Sequence, residues 1–337
     1  MTPGIRIPIV FSIDSGFVMQ ATVSIYSLLR SAGESVYDIY IIVGSDFGVE
    51  DRQVIISQVN RFKNHTVRFI VHGNEFKSCT EQRGITTATY YRLLIPWLLP
   101  QYDKVIYADA DIIFNLSLER VYQIDLGNNL FAMVPSIRNV YSTPNTIHYN
   151  KGVISIAKYH NAGFLLINSK LLRKENKKDE LITLSRKGFE YQDQDVINIF
   201  ASERIYSLSH KYCVHPLIYN MLLKNDSKLK INFGDVEDWE SIKNISNVNV
   251  HYCGQSKPWK GICYAYNIWW EVYRKSVIYD PLFELAHCDS LIRERNYLLQ
   301  EKKYNDEFRE KFIIKAIIRM KCLWDCSFWK VKTIFTK

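Results

Sequence analysis

One stretch of this 337-residue chain combines residue types and spacing that could do chemistry: Lys104-Val-Ile-Tyr-Ala-Asp109-Ala-Asp111-Ile-Ile-Phe114. An apolar β-type run climbs to two carboxylates separated by one residue, and a second apolar run follows. In extended geometry residues i and i+2 share a face, so Asp109 and Asp111 are expected to present their carboxylates together. Two such charges repel each other and are costly to bury unpaired. A divalent cation removes that cost. Mg²⁺ or Mn²⁺, held by one or two carboxylates plus phosphate oxygens, suits such a hard oxygen site. The end of a buried strand in an α/β sheet is also where ligands bind. The plain alternative is a solvated turn at a strand end, and Asp-x-Asp alone does not decide between them.

Other residues could complete such a site. Arg92 is the only charge between Gly84 and Asp103. An arginine in so apolar a stretch needs an anionic partner: a structural carboxylate, Asp109 among them, or a bound sugar-phosphate. Tyr191-Gln-Asp193-Gln194-Asp195 places four amide and carboxylate side chains before an apolar helix. An N-cap accounts for one aspartate, at 193 or 195, and polyol hydroxyls could use the rest. Asn161 and Gly163 open an apolar strand; they allow close backbone approach and supply a donor and an acceptor, or they mark a bulge or turn. Asn249-Val-His251-Tyr-Cys-Gly254-Gln-Ser-Lys257-Pro-Trp259 combines an imidazole with a glycine and lysine suited to a diphosphate. A histidine beside two carboxylates favours Mn²⁺ over Mg²⁺. Asp14 ends the first apolar strand, where it either caps the next helix or reads a ligand.

The elements needed to position these groups alternate. Strands are expected at 7–13, 37–43 and 66–71, with helices at 17–30 and 50–62 between them. This pattern predicts a parallel sheet flanked by helices. A helix over 86–95 is expected to stop near Pro96. Strands follow up to Asp109, at 130–134 and at 159–168, then helices at 171–186 and 196–200. Residues 136–160 lack periodicity and read as a functional loop, lid or insertion. The 22 Tyr and 17 Phe serve a sizeable core, with some available to stack on sugars. Seven scattered cysteines without Cys-x-x-Cys read as reduced and cytosolic, and no signal segment or membrane span is evident. A net charge of +8 points to an anionic partner.

Six blocks in order resemble glycosyltransferase family 8, which includes glycogenin and the bacterial lipopolysaccharide galactosyl- and glucosyltransferases. They are Ile-Val-Phe-Ser-Ile-Asp14, Ala-Thr-Tyr-Tyr-Arg92-Leu, Tyr-Ala-Asp109-Ala-Asp111-Ile, Asn161-Ala-Gly163-Phe-Leu-Leu-Ile-Asn, Tyr-Gln-Asp193-Gln194-Asp and the block from His251 to Trp259. The resemblance implies an α/β GT-A nucleotide-diphospho-sugar transferase fold, a Rossmann-like mixed sheet flanked by helices. It implies retaining transfer from a UDP-sugar, UDP-glucose or UDP-galactose, to a glycan acceptor. By this resemblance Asp109, Asp111 and His251 are Mn²⁺ ligands, Asp14 contacts uracil and Phe17 stacks on the base. Gly254 and Lys257 meet the diphosphate; Arg92, Asn161, Gly163 and Asp193 lie at the donor sugar; Gln194 sits beneath the anomeric carbon. Ser15-Gly16 replaces an Asp-Asn pair common in the family. Two other readings stand beside it: an inactive GT-A scaffold that binds membrane or nucleic acid, and a metal-dependent nucleotide-sugar hydrolase. No nucleic-acid partner is expected of the transferase.

The chain divides at about residue 280 in this reading, with a catalytic domain over 1–280 and a basic, aromatic helical segment over 281–337. From Phe308 onward eight Lys and Arg face only Glu310 and Asp325, and Ile313, Ile317, Met320, Trp324 and Phe328 form one helical stripe. Such a segment is expected to hold the protein peripherally at the anionic inner face of the cell membrane, each basic residue contributing about 1 kcal/mol. Packing of the stripe on the catalytic domain is the other outcome. Deletion after Glu307 is expected to abolish sedimentation with anionic liposomes; equal sedimentation of both forms would remove the membrane role.

Overall fold

The computed structural model describes residues 4–81, 86–137, 139, 145–149, 152–156, 158–201, 203–233, 239–254, 257–303 and 306–307. The basic stripe from Phe308 onward lies outside the described residues. The chain divides into two compact units between Tyr279 and Asp280. Residues 281–303 of the second are helical.

The first unit is built on a mixed seven-stranded sheet. Its strands are β1 (Arg6–Ser12), β2 (Val36–Val43), β3 (Thr66–Val71), β4 (Val105–Ala108), β6 (Phe131–Pro135), β9 (His160–Ile167) and β10 (Ile205–Ser207). Two short pairs lie outside it, β5 (Ile112–Ile113) with β11 (Val250–His251) and β7 (Asn145–Tyr149) with β8 (Gly152–Ile156). The sheet order is β10-β6-β9-β4-β1-β2-β3. β1 runs parallel to β2 and β4, and β10 runs parallel to β6; only β9 is antiparallel to its neighbours.

Strand alternation supplies two cores. Ile7, Ile9 and Phe11 of β1 join Phe164 and Leu166 of β9 on one face. Val10, Tyr107, Leu165 and Ile167 join the helix Gln192–Ala201 through Val196 and Ile197 on the other. A sheet covered on both faces requires such near-continuous apolar strands. The helix Val18–Arg30 buries ten of its thirteen residues, so it is a core helix rather than a surface one.

Four elements differ from the sequence expectation. Pro96 does not stop a helix. Residues Thr87–Leu94 form a 3₁₀ helix, and an α-turn Ile95–Leu98 starts with Pro96 in its first turn, where its missing N–H costs nothing. The basic helix at 171–186 is two helices, Ser169–Lys174 and Lys178–Ser185, broken where Asn176 adopts φ 52°. The helix expected at 196–200 begins at Gln192. The 136–160 segment is not structureless, since β7 and β8 pair antiparallel within it.

The β5–β11 pairing sets His251 opposite Ile112, and Tyr252 N–H donates to Asp111 O at 3.0 Å. Asn249, fully buried, secures that junction. Its Oδ1 accepts from the backbone N–H groups of Asn115 and Leu116, both at 3.0 Å, and its Nδ2 donates to Tyr212 O. Asn249→Ala would leave two part-buried donors without their protein partner. Urea denaturation is expected to show a loss of about 2–5 kcal/mol.

Candidate active site

The strands β1 and β4 end side by side, and their C-terminal residues open a cleft of ≈ 210 Å³. Asp14, Phe17, Thr86, Thr89, Arg92, Asp109, Asp111, His251, Gly254 and Lys257 are among its wall residues. A larger cavity, ≈ 330 Å³ and walled by Pro135, Lys158, Ser207, Lys211 and Phe233, has no carboxylate among its described wall residues. The concentration of ionisable groups, not size, marks the site.

Asp109 and Asp111 do not lie on one extended strand. β4 ends at Ala108, and Asp109–Asp111 form a turn closed by Ile112 N–H donating to Asp109 O. Their convergence comes from the partner across the turn. His251 Nε2 lies 3.1 Å from Asp111 Oδ1 and 3.5 Å from Asp109 Oδ2. One ligand atom from each of the three residues falls within 4.8 Å of the others. Asp111 Oδ1 is buried and makes no well-directed hydrogen bond. An orphaned carboxylate oxygen beside a second carboxylate and an imidazole nitrogen fits a hard or borderline divalent cation. The described residues thus accommodate the metal that the sequence implied.

Cationic side chains hold these carboxylates from both sides. Lys257 Nζ contacts Asp111 Oδ2 and donates to Tyr252 O at 2.6 Å. Burial works against ionising Asp111, but Lys257 and His251 outweigh it and hold its pKa well below the usual range. Asp109 follows the same pattern, with Arg92 as the main counter-charge. Burial also disfavours a charged His251, yet Cys253, Cys213 and Asp111 around it raise its pKa well above the ordinary value. Its Nδ1 faces Cys213 Sγ at 3.4 Å.

Arg92, only 6% exposed, is the second anchor. It pairs with Asp109 Oδ1 at 2.9 Å and Asp193 Oδ2 at 3.0 Å, and donates to Ala162 O at 2.6 Å. Its guanidinium lies 4.3 Å from the centre of the Tyr107 ring, whose hydroxyl donates to Asp109 Oδ1. The sequence left Arg92 a choice between a structural carboxylate and a sugar-phosphate; two carboxylates hold it. Asp193 also accepts from Thr89 Oγ1 at 2.6 Å. Burial outweighs the pull of Arg92 and raises the Asp193 carboxyl to about 6.

The start of β9 is irregular. Met133 opposes Leu165, but Val134 opposes Asn161, so β9 bulges through 162–164. The bulge aims two carbonyls at the site, Ala162 O to Arg92 and Gly163 O to Asp109 N–H. Gly163 has a steric reason to be glycine: a Cβ there would sit 2.2 Å from His251 Cε1 and 2.8 Å from Asp109 Oδ2. Asn161 accepts from Gly163 N–H and donates to Gln194 Oε1. Asp14 caps the 3₁₀ turn Ser15–Phe17 by accepting from Gly16 N–H, and it accepts from Thr86 Oγ1. Phe17 is 37% exposed at the cleft mouth. Asn161, Gly163, Asp193 and Gln194 are not wall residues of this cleft; Asn161 and Gln194 adjoin it through β9, and Asp193 through Arg92. Neither Asp193 nor Asp195 is an N-cap: Asp195 Oδ2, inside the first turn, accepts from Tyr191 N–H.

The sequence reading passed over Thr86, Thr89, Tyr107, Cys213 and Cys253. Thr89 precedes Arg92 by three residues on one helix face, and Tyr107 precedes Asp109 by two. Those spacings were a usable signal. Cys213 is brought in only by tertiary packing.

With this geometry in hand, comparison decides the family. Residues 8–263 match the model of Glycosyl transferase family 8. The chain belongs to that family. Among curated relatives, lipopolysaccharide glucosyltransferase WaaO of Escherichia coli K12 is 24% identical over 274 residues, 79% of this chain and 76% of WaaO. Lipopolysaccharide 1,3-galactosyltransferase of Salmonella typhimurium LT2 is 26% identical over 259 residues, 74% of this chain and 72% of that enzyme. The crystal structure of the galactosyltransferase LgtC with donor and acceptor sugar analogues superposes with TM-score 0.65 at 20% identity, covering 82% of this chain and 99% of LgtC. The fold of this family 8 member is the GT-A fold expected from the sequence.

Gly163→Ala tests the geometry directly. The variant is expected to fold, with a thermal midpoint near that of the parent, yet to lose Mn²⁺ binding measured by calorimetry, because the new methyl displaces His251 or Asp109. Unchanged Mn²⁺ affinity would show that these residues do not form one metal site.

Proposed function

We propose that the protein is a retaining hexosyltransferase that moves glucose or galactose from its UDP derivative to a glycan acceptor of the lipopolysaccharide-core type, forming an α-linkage. The observation that carries this reading is one cleft whose wall combines Asp109, Asp111, His251 and Lys257 with Asp14 and Phe17. A nucleoside diphosphate needs both sets: cationic groups for its phosphates, and an aromatic face with a polar acceptor for its base. The glucosyl- and galactosyltransferases among the relatives support the acceptor class and leave both sugars open.

The residues divide the work. Phe17 stacks on uracil and Asp14 accepts from it. Asp109, Asp111 and His251 hold Mn²⁺, which when bound offsets the charge that develops on the departing diphosphate. Lys257 shifts from Asp111 to the diphosphate, and Gly254, at φ 68°, turns the backbone there. Arg92 and Asp193 fix the sugar hydroxyls. Retention by double displacement would require a nucleophile at the anomeric carbon. Asp193 is poorly suited, since Thr89 and Arg92 engage both its oxygens. Gln194 is an amide whose oxygen already accepts two hydrogen bonds. Same-face attack fits better: the acceptor hydroxyl enters beside the leaving diphosphate, which takes its proton.

No helix among the described residues is long and apolar enough to cross a membrane. Peripheral attachment through the basic segment would raise the effective concentration of a lipid-anchored acceptor.

Two experiments test this reading. Transfer from UDP-glucose or UDP-galactose is expected to stop with chelator and in Asp111→Ala, and product NMR is expected to show an α-linkage. A β-linked product, or full transfer in chelator, would overturn it. Hydrolysis undiminished by acceptor would favour a nucleotide-sugar hydrolase. The second experiment follows kcat/KM with pH. A carboxyl raised to about 6 in the folded protein holds its proton to higher pH than in the unfolded chain. Its favourable contribution to folding is therefore present at low pH and lost as pH rises through 6. Donor recognition needs the ionised form, so kcat/KM is expected to fall below about pH 6. The diphosphate diester of the donor does not titrate there, and an acid limb retained in Asp193→Asn would assign it elsewhere.

A further inference from the structure

The side-chain amide of Gln194 is gripped at both ends, and the direction of every bond in the grip is determined. A backbone N–H can only donate, so Ala162 N–H, 3.1 Å away, identifies its partner as Oε1. Asn161 gives the same oxygen a second hydrogen bond, 3.3 Å from its Nδ2. The Asn161 amide is itself oriented, because its Oδ1 accepts from Gly163 N–H at 2.8 Å. At the other end Gln194 Nε2 lies 3.0 Å from the Tyr159 hydroxyl. That hydroxyl donates its one proton to the buried Asp195 carboxylate, so it can only accept from Gln194. Asp195 is held in turn by Tyr191 N–H at 2.8 Å. The helix Gln192–Ala201 supplies Gln194 and Asp195, and Tyr159 and Ala162 flank the start of β9.

We propose that Tyr159 and Asp195 are positioning residues for sugar transfer, fixing the Gln194 amide so that it meets the donor sugar as an N–H donor rather than through its carbonyl oxygen. Both lone pairs of Oε1 are occupied by protein donors, and one Nε2 hydrogen is spent on Tyr159. The second Nε2 hydrogen is what Gln194 retains to offer a sugar oxygen. Reversing the amide would set its NH₂ group against Ala162 N–H and Asn161 Nδ2, donors facing donors in a part-buried setting. Tyr159 and Asp195 thus act through Gln194 and need not touch the sugar. This inference rests on the reading that Gln194 faces the donor sugar.

A double-mutant cycle with UDP-glucose or UDP-galactose, whichever the protein turns over, separates the two ideas. Tyr159→Phe keeps the ring and deletes the acceptor. It is expected to lower kcat about ten- to a hundred-fold through misorientation of the amide, with the donor KM changed less than about threefold. Asp195→Asn is expected to act in the same direction. Its amide can donate to Tyr159, which turns the tyrosine proton toward Gln194 and reverses the chain. In a Gln194→Ala background, Tyr159→Phe and Asp195→Asn are expected to have no further effect on kcat. If either lowers kcat by the same factor there as in the parent, or lowers only the thermal midpoint, the positioning role is overturned. If Gln194→Ala alone leaves kcat unchanged, the placement of Gln194 at the sugar fails instead. Should Tyr159→Phe not fold, the cycle with Asp195→Asn distinguishes the same outcomes.

Discussion

Three carboxylates gathered at one end of a sheet, two of them buried and one half-buried, are the constraint on which the rest of the site depends. Asp109 and Asp111 in the cleft and Asp193 beside it cannot all remain ionised without counter-charge. The fold supplies it in two places. Arg92 stands between Asp109 and Asp193, and Lys257 with His251 stands against Asp111. The balance differs between the carboxyls. Arg92 and His251 hold Asp109 below the ordinary range and Lys257 does so for Asp111, whereas burial wins at Asp193. The result is a pair of carboxyls biased toward the anionic form beside one that burial raises to about 6.

The topology follows from placing those counter-charges. β9 runs antiparallel between β4 and β6, and its bulge turns two carbonyls toward Arg92 and Asp109. The two-residue ladder β5–β11 is too short to stabilise much by itself, but it sets His251 opposite Ile112 from a position 139 residues later in the chain. Buried Asn249 ties that ladder to the loop after β5. Small irregular features therefore place the chemistry, while the regular strands form the two cores.

Membership of family 8 joins this local arrangement to a known class of reaction. The superposition with LgtC extends over most of both chains at low identity, so it speaks for the fold. The proposed roles draw on geometry: an Asp111 oxygen without a well-directed hydrogen bond, a glycine where a Cβ would press on His251 and Asp109, and a Gln194 amide with a determined orientation.

Much of this was legible in the sequence because it is local. Alternating apolar strands and helices gave the covered sheet, and Asp109-Ala-Asp111, the isolated Arg92 and the Gln-Asp-Gln-Asp run stood out as charges too costly to bury without purpose. The sequence could not decide how they meet. Strand periodicity placed the two aspartates on one face, but they lie in a turn, and their convergence is set by His251 from across the chain. The proline expected to end a helix begins one, because the preceding turn is 3₁₀. The carboxylate partners of Arg92, the bulge beneath Gly163 and the Tyr159–Asp195 grip on Gln194 join residues from 17 to 101 positions apart. Hydrogen bonds over such separations are fixed by packing of the strands and helices that carry them. Only the tertiary structure determined them.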